Sequence, residues 1–175
     1  MSVINQTVSN WELFLIDNDS SDNSYEIMLQ YNKSREITCI RTEDLTIAQI
    51  ANYIIPKARG KFIMRLDADD FLDFRALEIF NIEFRKNPKL MMIYPDYFLV
   101  NEDGRIVSLE HRGLTSSSDN YKSIPPNGAC TVWRLDTLKK IGGYDESLSA
   151  QDGLDVWFKA LSLEPKFEFM NLSLP

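Results

Sequence analysis

The chain has 175 residues, 44% of them hydrophobic and 26% charged, a size that one α/β domain fills. Its formal net charge is −7 with no basic run, which argues against nucleic acid as a partner. A single histidine and two cysteines without a CxxC leave no multi-histidine zinc site, and neither GxGxxG nor GxxxxGK[ST] occurs.

Short apolar runs alternate with helical patterns. WELFLID (11–17), EITCIRT (36–42) and KFIMRLD (61–67) read as strands rich in β-branched and aromatic residues. Between the first two, Asn23 followed by Glu26 predicts a helix N-cap with its reciprocal partner. Thr46 then precedes Ile47, Ile50, Ala51 and Ile54, a helical stripe that Pro56 should kink or end. After Asp73 a further helix carries Leu77, Phe80 and Phe84 and stops before Asn87-Pro88. LMMIYPDYFLV and RIVSL flank NEDG and predict a β-hairpin with a tight Asp-Gly turn. The polar, Ser- and Pro-rich segment 113–128 reads as a loop. CTVW predicts a strand, LDTLKKIGGY a short helix closed by glycine, QDGLDVWFKAL a helix and KFEFMNLSL a last strand. Strand–helix–strand alternation at this spacing predicts a largely parallel sheet covered by helices. Cys39 and Cys130 lie in apolar stretches and are expected as buried free thiols of a reducing compartment, and Trp133 and Trp157 as core.

The remaining reactive material is carboxylate. Ligands of open parallel sheets bind beyond the carboxyl ends of strands. Asp17 ends the first predicted strand and Asp67 the third, so both are expected on one edge of the sheet. Asp69 comes two residues after Asp67, a spacing that in extended chain points both to one side. Such oxygen ligands suit Mg²⁺ or Mn²⁺, which pair one or two carboxylates with substrate phosphate. Asp73 reads instead as a helix cap, and capping alone accounts for one of Asp152 and Asp155. A Ser-His-Asp triad would have to use His111, in the polar stretch LEHRG, and is set aside. Tyr94 and Tyr97 beside Asp96 are candidate acceptor contacts, with Asp96 equally readable as a strand cap. Arg112 and Lys122 are candidate diphosphate contacts, with solvated charge the plainer reading.

WELFLIDNDSSDNS, KARGKFIMRLDADDFLD and IGGYDESLSAQDGLDVWFKAL, in this order, resemble the family 2 glycosyltransferases of the GT-A fold over nearly the whole chain. The resemblance implies one domain over 1–175, with a nucleotide-sugar-binding half (1–110) and an acceptor half (111–175). It implies an inverting enzyme that moves a sugar from a nucleotide-sugar to a glycan or lipid-linked acceptor in surface polysaccharide synthesis. Asp17 matches the residue that contacts the donor nucleobase, and Asp67 and Asp69 match the ends of the DxD motif. Asp69 would hold the divalent metal, and Asp152 matches the general base. Gln151 replaces the acid that usually precedes it, and Asp19 stands where the family's turn has glycine.

Relatives begin with a strand and helix ahead of the matched segment and continue past NLSLP, so the resemblance implies a member shortened at both ends. The expected consequences are a sheet that closes over the gap, a second copy that covers it, or a longer gene product. Expected placement is cytoplasmic, with peripheral association at the inner membrane face as a variant. Two other readings stand beside the enzyme: a non-catalytic nucleotide-binding remnant of the same fold, and a phosphoacceptor receiver domain, which requires a later strand-end lysine for which this sequence offers no convincing candidate.

Overall fold

The computed structural model describes residues 1–112, 128–148, 153–163 and 168–172. The N-terminal segment docks on the stretch from Asp73 to Leu77: Gln6 Nε2 donates to Asp73 O at 2.7 Å, and Leu77 N donates to Gln6 Oε1 at 2.9 Å. Strand β1 (Leu13–Asn18) leads to helix α1 (Ser24–Leu29), strand β2 (Ile37–Thr42) and helix α2 (Ile47–Ile54). Strand β3 (Phe62–Met64), helix α3 (Ala76–Lys86), strand β4 (Leu90–Pro95) and the ribbon β5 (Tyr97–Val100) and β6 (Ile106–Glu110) come next. Strand β7 (Val132–Arg134), helices α4 (Leu135–Lys140) and α5 (Leu154–Leu163), and strand β8 (Glu168–Leu172) complete the described elements.

Local chemistry explains most boundaries. Thr46 and Gln49 form a reciprocal capping box on α2, which ends at Ile54, two residues ahead of Pro56. Asp73 Oδ1 accepts from Arg75 N at 2.8 Å and caps the approach to α3. The expected Asn23 cap does not form. Asn23 makes no side-chain capping bond, and Asp22 Oδ1 takes the Ser24 N–H instead at 3.0 Å. The turn between β5 and β6 is also longer than the tight one expected. Asn101 Oδ1 accepts from both Asp103 N (3.1 Å) and Arg105 N (2.9 Å), which organises a wider loop with Gly104 at φ +75°.

The strands form three ladders: β1–β2, β3–β7–β4–β8, and the separate ribbon β5–β6. β1 runs parallel to β2 and β4 parallel to β8, while β7 is antiparallel to both β3 and β4. The sheet is therefore mixed, with β7 the one reversed strand of its ladder, and β3, β4 and β8 share a direction. Among the described residues β1 and β3 share no ladder, so direct pairing does not close the sheet between them. Glu12 joins them at their starts instead: its Oε1 accepts from Arg59 N (2.7 Å) and Gly60 N (2.9 Å), and its Oε2 pairs with Arg59 Nε. Phe14 of β1 and Ile63 of β3 pack against the same core.

The core lies on both faces of the four-stranded ladder. One side gathers Met92, Tyr94, Trp133, Trp157 and Phe169 under α4 and α5; the other packs Leu90, Ile93 and Val132 against Phe80 and Phe84 of α3. β4 is buried on both faces, which is why its sequence is a continuous apolar run rather than an alternating one. Trp133 and Trp157 are core residues as expected; both cysteines are free, but each is half-buried rather than buried.

Candidate active site

The shared direction of β3 and β4 and the reversal of β7 bring three chain segments to one edge: the loop after β3, the residue after β4, and the approach to β7. Asp17 lies one residue inside the end of β1. Its carboxylate is fully buried, yet neither oxygen accepts a hydrogen bond from a described residue; Arg41 Nε stands 3.4 Å from Oδ2. The Arg41 guanidinium lies over the Tyr25 ring, 5.1 Å from its centroid. A buried carboxylate without hydrogen bonds is costly by itself, and the Arg41 ion pair offsets part of that cost. Close behind it, Asp19 adopts φ +61°. The left-handed turn that the resemblance assigns to glycine is thus kept here by aspartate, a residue that tolerates this conformation.

The structure corrects the position of Asp67. β3 ends at Met64, so Asp67 sits three residues past the strand, in the turn closed by Asp70 N donating to Asp67 O at 3.1 Å. Arg65 holds Asp67 with two contacts, Nε–Oδ1 at 2.8 Å and Nη2–Oδ2 at 3.2 Å. Asp69 and Asp70 are exposed at the tip. The Asp70 carboxyl is pushed above its usual range by partial desolvation, then by the charges of Asp69 and Asp67, with Arg65 opposing. The repulsion implied by three acids in four positions is therefore present in the fold.

No group of three or more acidic, histidine or cysteine side chains converges as a metal cage among the described residues. The donor set still fits Mg²⁺ or Mn²⁺. Asp67 is engaged by Arg65 while Asp69 is exposed, and these ions complete their octahedron with phosphate and water.

Asp96 comes after β4 at the same edge. Its side chain is 1% exposed, and its oxygens accept from Asn171 Nδ2 (3.0 Å) and Arg112 N (3.0 Å) and meet His111 Nδ1 (2.9 Å). Burial alone would raise its pKa, but the bonds from Asn171, Arg112 and His111 outweigh it and hold the carboxyl below the usual range. Arg112 bridges this corner to the rest: its Nη1 lies 3.4 Å from Thr131 Oγ1, and its guanidinium covers Tyr97 at 5.1 Å. Cys130 completes the wall, with its N–H donated to Arg65 O at 2.7 Å. Burial first, then Asp70 and Asp67, push the Cys130 thiol up to about 11, with Arg112 and Arg65 pulling the other way.

Of the expected site residues, Asp67, Asp69, Asp96, Tyr97 and Arg112 lie at this edge, while Asp17 lies at the end of β1 beside Arg41. Tyr94 does not: it is fully buried in the core, because its position in β4 points it under α5. Asp152, Gln151 and Lys122 lie outside the described residues. Arg65, Cys130 and His111 are additions. Arg65 had a sequence signal, a cation inside an apolar strand two positions before Asp67. Cys130 and His111 had none, since their neighbours are distant in sequence.

Residues 1–136 match the sequence model of the family described as Glycosyl transferase family 2. The chain belongs to that family. Among curated proteins, this glycosyltransferase domain is similar to the chondroitin synthase of Escherichia coli, with 26% identity over 174 residues, 97% of this chain and 25% of that protein. It is also similar to the poly-beta-1,6-N-acetyl-D-glucosamine synthase of Staphylococcus epidermidis, 26% identical over 165 residues, 89% of this chain and 40% of the relative. The chain thus spans well under half the length of these relatives. The fold matches that of S. aureus TarS 1–349 in complex with UDP-GlcNAc, at TM-score 0.70 and 18% identity, over 99% of this chain and 53% of that one. It also matches the Pyrobaculum calidifontis mannosyltransferase PcManGT in complex with GDP-Man and Mn2+, at TM-score 0.65 and 12% identity, over 99% and 49% of the two chains. The GT-A-like fold with an added β-hairpin is therefore as the sequence implied.

Proposed function

We propose that this domain transfers a sugar from a nucleotide-sugar donor to a glycan or lipid-linked acceptor during polysaccharide synthesis. The observation that carries the reading is the acidic turn after β3, where Arg65 braces Asp67 and Asp69 is exposed, joined through Cys130, Thr131 and Arg112 to Asp96. Asp17, with its carboxylate oxygens buried beside Arg41 at the end of β1, is the proposed nucleotide contact. Nucleobase or ribose N–H and O–H groups would satisfy those oxygens, which is the donor-nucleotide role assigned to Asp17. Asp67, braced by Arg65, takes the adjacent part of the nucleotide. Asp69 holds Mn²⁺ or Mg²⁺, which would supply Lewis-acid stabilisation to the departing diphosphate. Arg112 is placed to add positive charge there. Asp152 is the proposed base: the acceptor hydroxyl proton passes to its carboxylate as the acceptor oxygen displaces the nucleoside diphosphate in one inverting step. The similar chondroitin and poly-beta-1,6-N-acetyl-D-glucosamine synthases build glycans, and the structural neighbours were solved with UDP-GlcNAc or with GDP-Man and Mn2+.

Calorimetric titration of UDP, GDP, CMP and dTDP, with and without Mn²⁺, tests this reading. One nucleotide should bind, dependent on both metal and Asp69, and Asp17→Asn should weaken it about ten-fold or more through loss of a charged acceptor. A folded chain that binds none of the four would sink the enzymatic reading for this domain and favour a non-catalytic remnant. A second copy of the chain against the edges of β1 and β3 that pair with no other described strand belongs to the same proposal. Work at the cytoplasmic membrane face does too; no described helix is long and apolar enough to cross a membrane.

A further inference from the structure

The chain's one histidine is built into a polar device that the donor reading does not use. His111 Nδ1 lies 2.9 Å from Asp96 Oδ2, and while Asp96 is 1% exposed, the His111 side chain is 63% exposed. Asp96 is not free to turn away, because Asn171 Nδ2 and Arg112 N anchor its other oxygen at 3.0 Å each. A buried carboxylate held below its usual pKa is an acceptor only. The imidazole nitrogen facing it must therefore carry the hydrogen, which fixes the neutral ring as the Nδ1–H tautomer. The other nitrogen, Nε2, is left as a lone pair directed away from the buried carboxylate. A strand cap alone needs no such arrangement, since Asn171 and the Arg112 amide already satisfy the end of β4.

The residues next to His111 suggest its partner. Tyr97, 39% exposed, pairs across the ribbon with Glu110, the residue before His111, and its ring lies under the Arg112 guanidinium, 5.1 Å away. Arg112 Nη1 also reaches Thr131 Oγ1 at 3.4 Å, so the pair shares a wall with the acidic loop through Cys130 and Arg65. An aromatic ring, a guanidinium and a single oriented acceptor make a surface for hydroxyl groups on a ring-shaped, partly apolar ligand, the chemistry of a sugar.

We propose that His111 is an acceptor-recognition residue: its Nε2 accepts a hydrogen bond from a hydroxyl of the acceptor sugar, and Asp96 is the positioning residue that fixes its tautomer. Resting on the donor-site reading, the inference adds the acceptor side of that site. His111 binds and orients; it does not remove the proton that the reaction releases.

Because there is one histidine, nitrogen-15 NMR reads it without assignment. The wild type, in the neutral-imidazole range, should show the Nδ1–H tautomer. A panel of β-linked glucose, N-acetylglucosamine and glucuronate trisaccharides, added to the chain loaded with Mg²⁺ and UDP, or with whichever of GDP, CMP and dTDP binds in its place, should shift Nε2 more than Nδ1 with at least one member. An Nε2–H tautomer, or no response at Nε2 to any member while the nucleotide stays bound, overturns the proposal. Binding of none of the four nucleotides would instead refute the donor reading, so the two failures are distinct. The substitutions separate positioning from mere structure. His111→Asn keeps an N–H for Asp96 but lacks the outward atom, whereas His111→Gln can place a carbonyl oxygen near the Nε2 position. We expect His111→Asn to raise the acceptor KM about five- to ten-fold, the loss of one hydrogen bond, with kcat little changed and the UDP affinity kept. His111→Gln should recover part of it. An unchanged acceptor KM in His111→Asn, or an equal loss of UDP affinity, would show that the pair is only a strand cap.

Discussion

Gly143→Ala offers a severe check on how the turn before Asp152 is held. Asn52, on α2, clamps that turn with its whole amide: Nδ2 donates to Tyr144 O at 2.9 Å and Oδ1 accepts from Tyr144 N at 2.8 Å. Lys159 Nζ adds a bond to Gly143 O at 2.9 Å, and Asp145 N donates to Asp155 Oδ2. A methyl group on Gly143 would stand 2.3 Å from Asn52 Oδ1, with the backbone at φ +72°. The left-handed conformation costs alanine about 1–2 kcal/mol. Expelling Asn52 sacrifices the two bonds to Tyr144 and a third from Nδ2 to Glu146 Oε1 (2.8 Å), worth about 0.5–1.5 kcal/mol each. The sum is about 2.5–6.5 kcal/mol, or roughly 7–20 °C in Tm at about 3 °C per kcal/mol for a chain of this size. Gly142 is the internal control: its φ is +79° but nothing lies within 4 Å of an added Cβ, so Gly142→Ala should cost only about 1–2 kcal/mol. Urea denaturation of Gly143→Ala, Asn52→Ala and the double variant closes the cycle. In the Asn52→Ala background, Gly143→Ala should shrink to the backbone cost of about 1–2 kcal/mol, leaving a coupling above about 1 kcal/mol. If the two costs add to within about 0.5 kcal/mol, the collision with Asn52 is not what excludes a side chain at Gly143.

Gln6→Ala should destabilise the chain by about 2 kcal/mol, because its buried amide satisfies both Asp73 O and Leu77 N; chemical denaturation reads this, and Gln6→Glu should not restore it. The raised pKa of Asp70 means that the folded chain binds its proton more tightly than the unfolded chain does. Its contribution to stability is therefore full below the unfolded carboxyl value and is lost as pH rises through the folded one. Asp70→Asn should accordingly be more stable than wild type at pH 7, with the gain fading on acidification, and a pH series of melting curves shows the sign. Cys130, with its thiol pushed up to about 11, should resist iodoacetamide at pH 8 in the folded chain and react only on unfolding, as mass spectrometry of the labelled peptide would record.

The elements were legible wherever a local signal decided them. Thr46 and Gln49 announce α2, Pro56 its end, and Asp73 the approach to α3, because a cap is made by residues within a few positions of one another. Where two local candidates competed, the signal failed: Asp22 and Asn23 can both offer an oxygen to the start of α1, and the structure uses Asp22. The run LMMIYPDYFLV could not be divided by pattern alone. It breaks at Asp96 because Asp96 N donates to Leu172 O, a partner more than seventy residues away.

The sequence by itself determined the acidic character of the site, the order of the strands and helices, and the motif blocks that mark the family. These depend on residue types and short spacings, which the chain carries wherever it folds. Only the tertiary structure decided which charges meet. Reversal of β7 brings Cys130 and Thr131 back beside the acidic loop, and the end of β4 brings Asp96 under His111 and Arg112. The same packing removes Tyr94 from the site and leaves Asp17 buried without a donor. Strand direction and long-range pairing set these outcomes, and neither is encoded within any window of neighbouring residues.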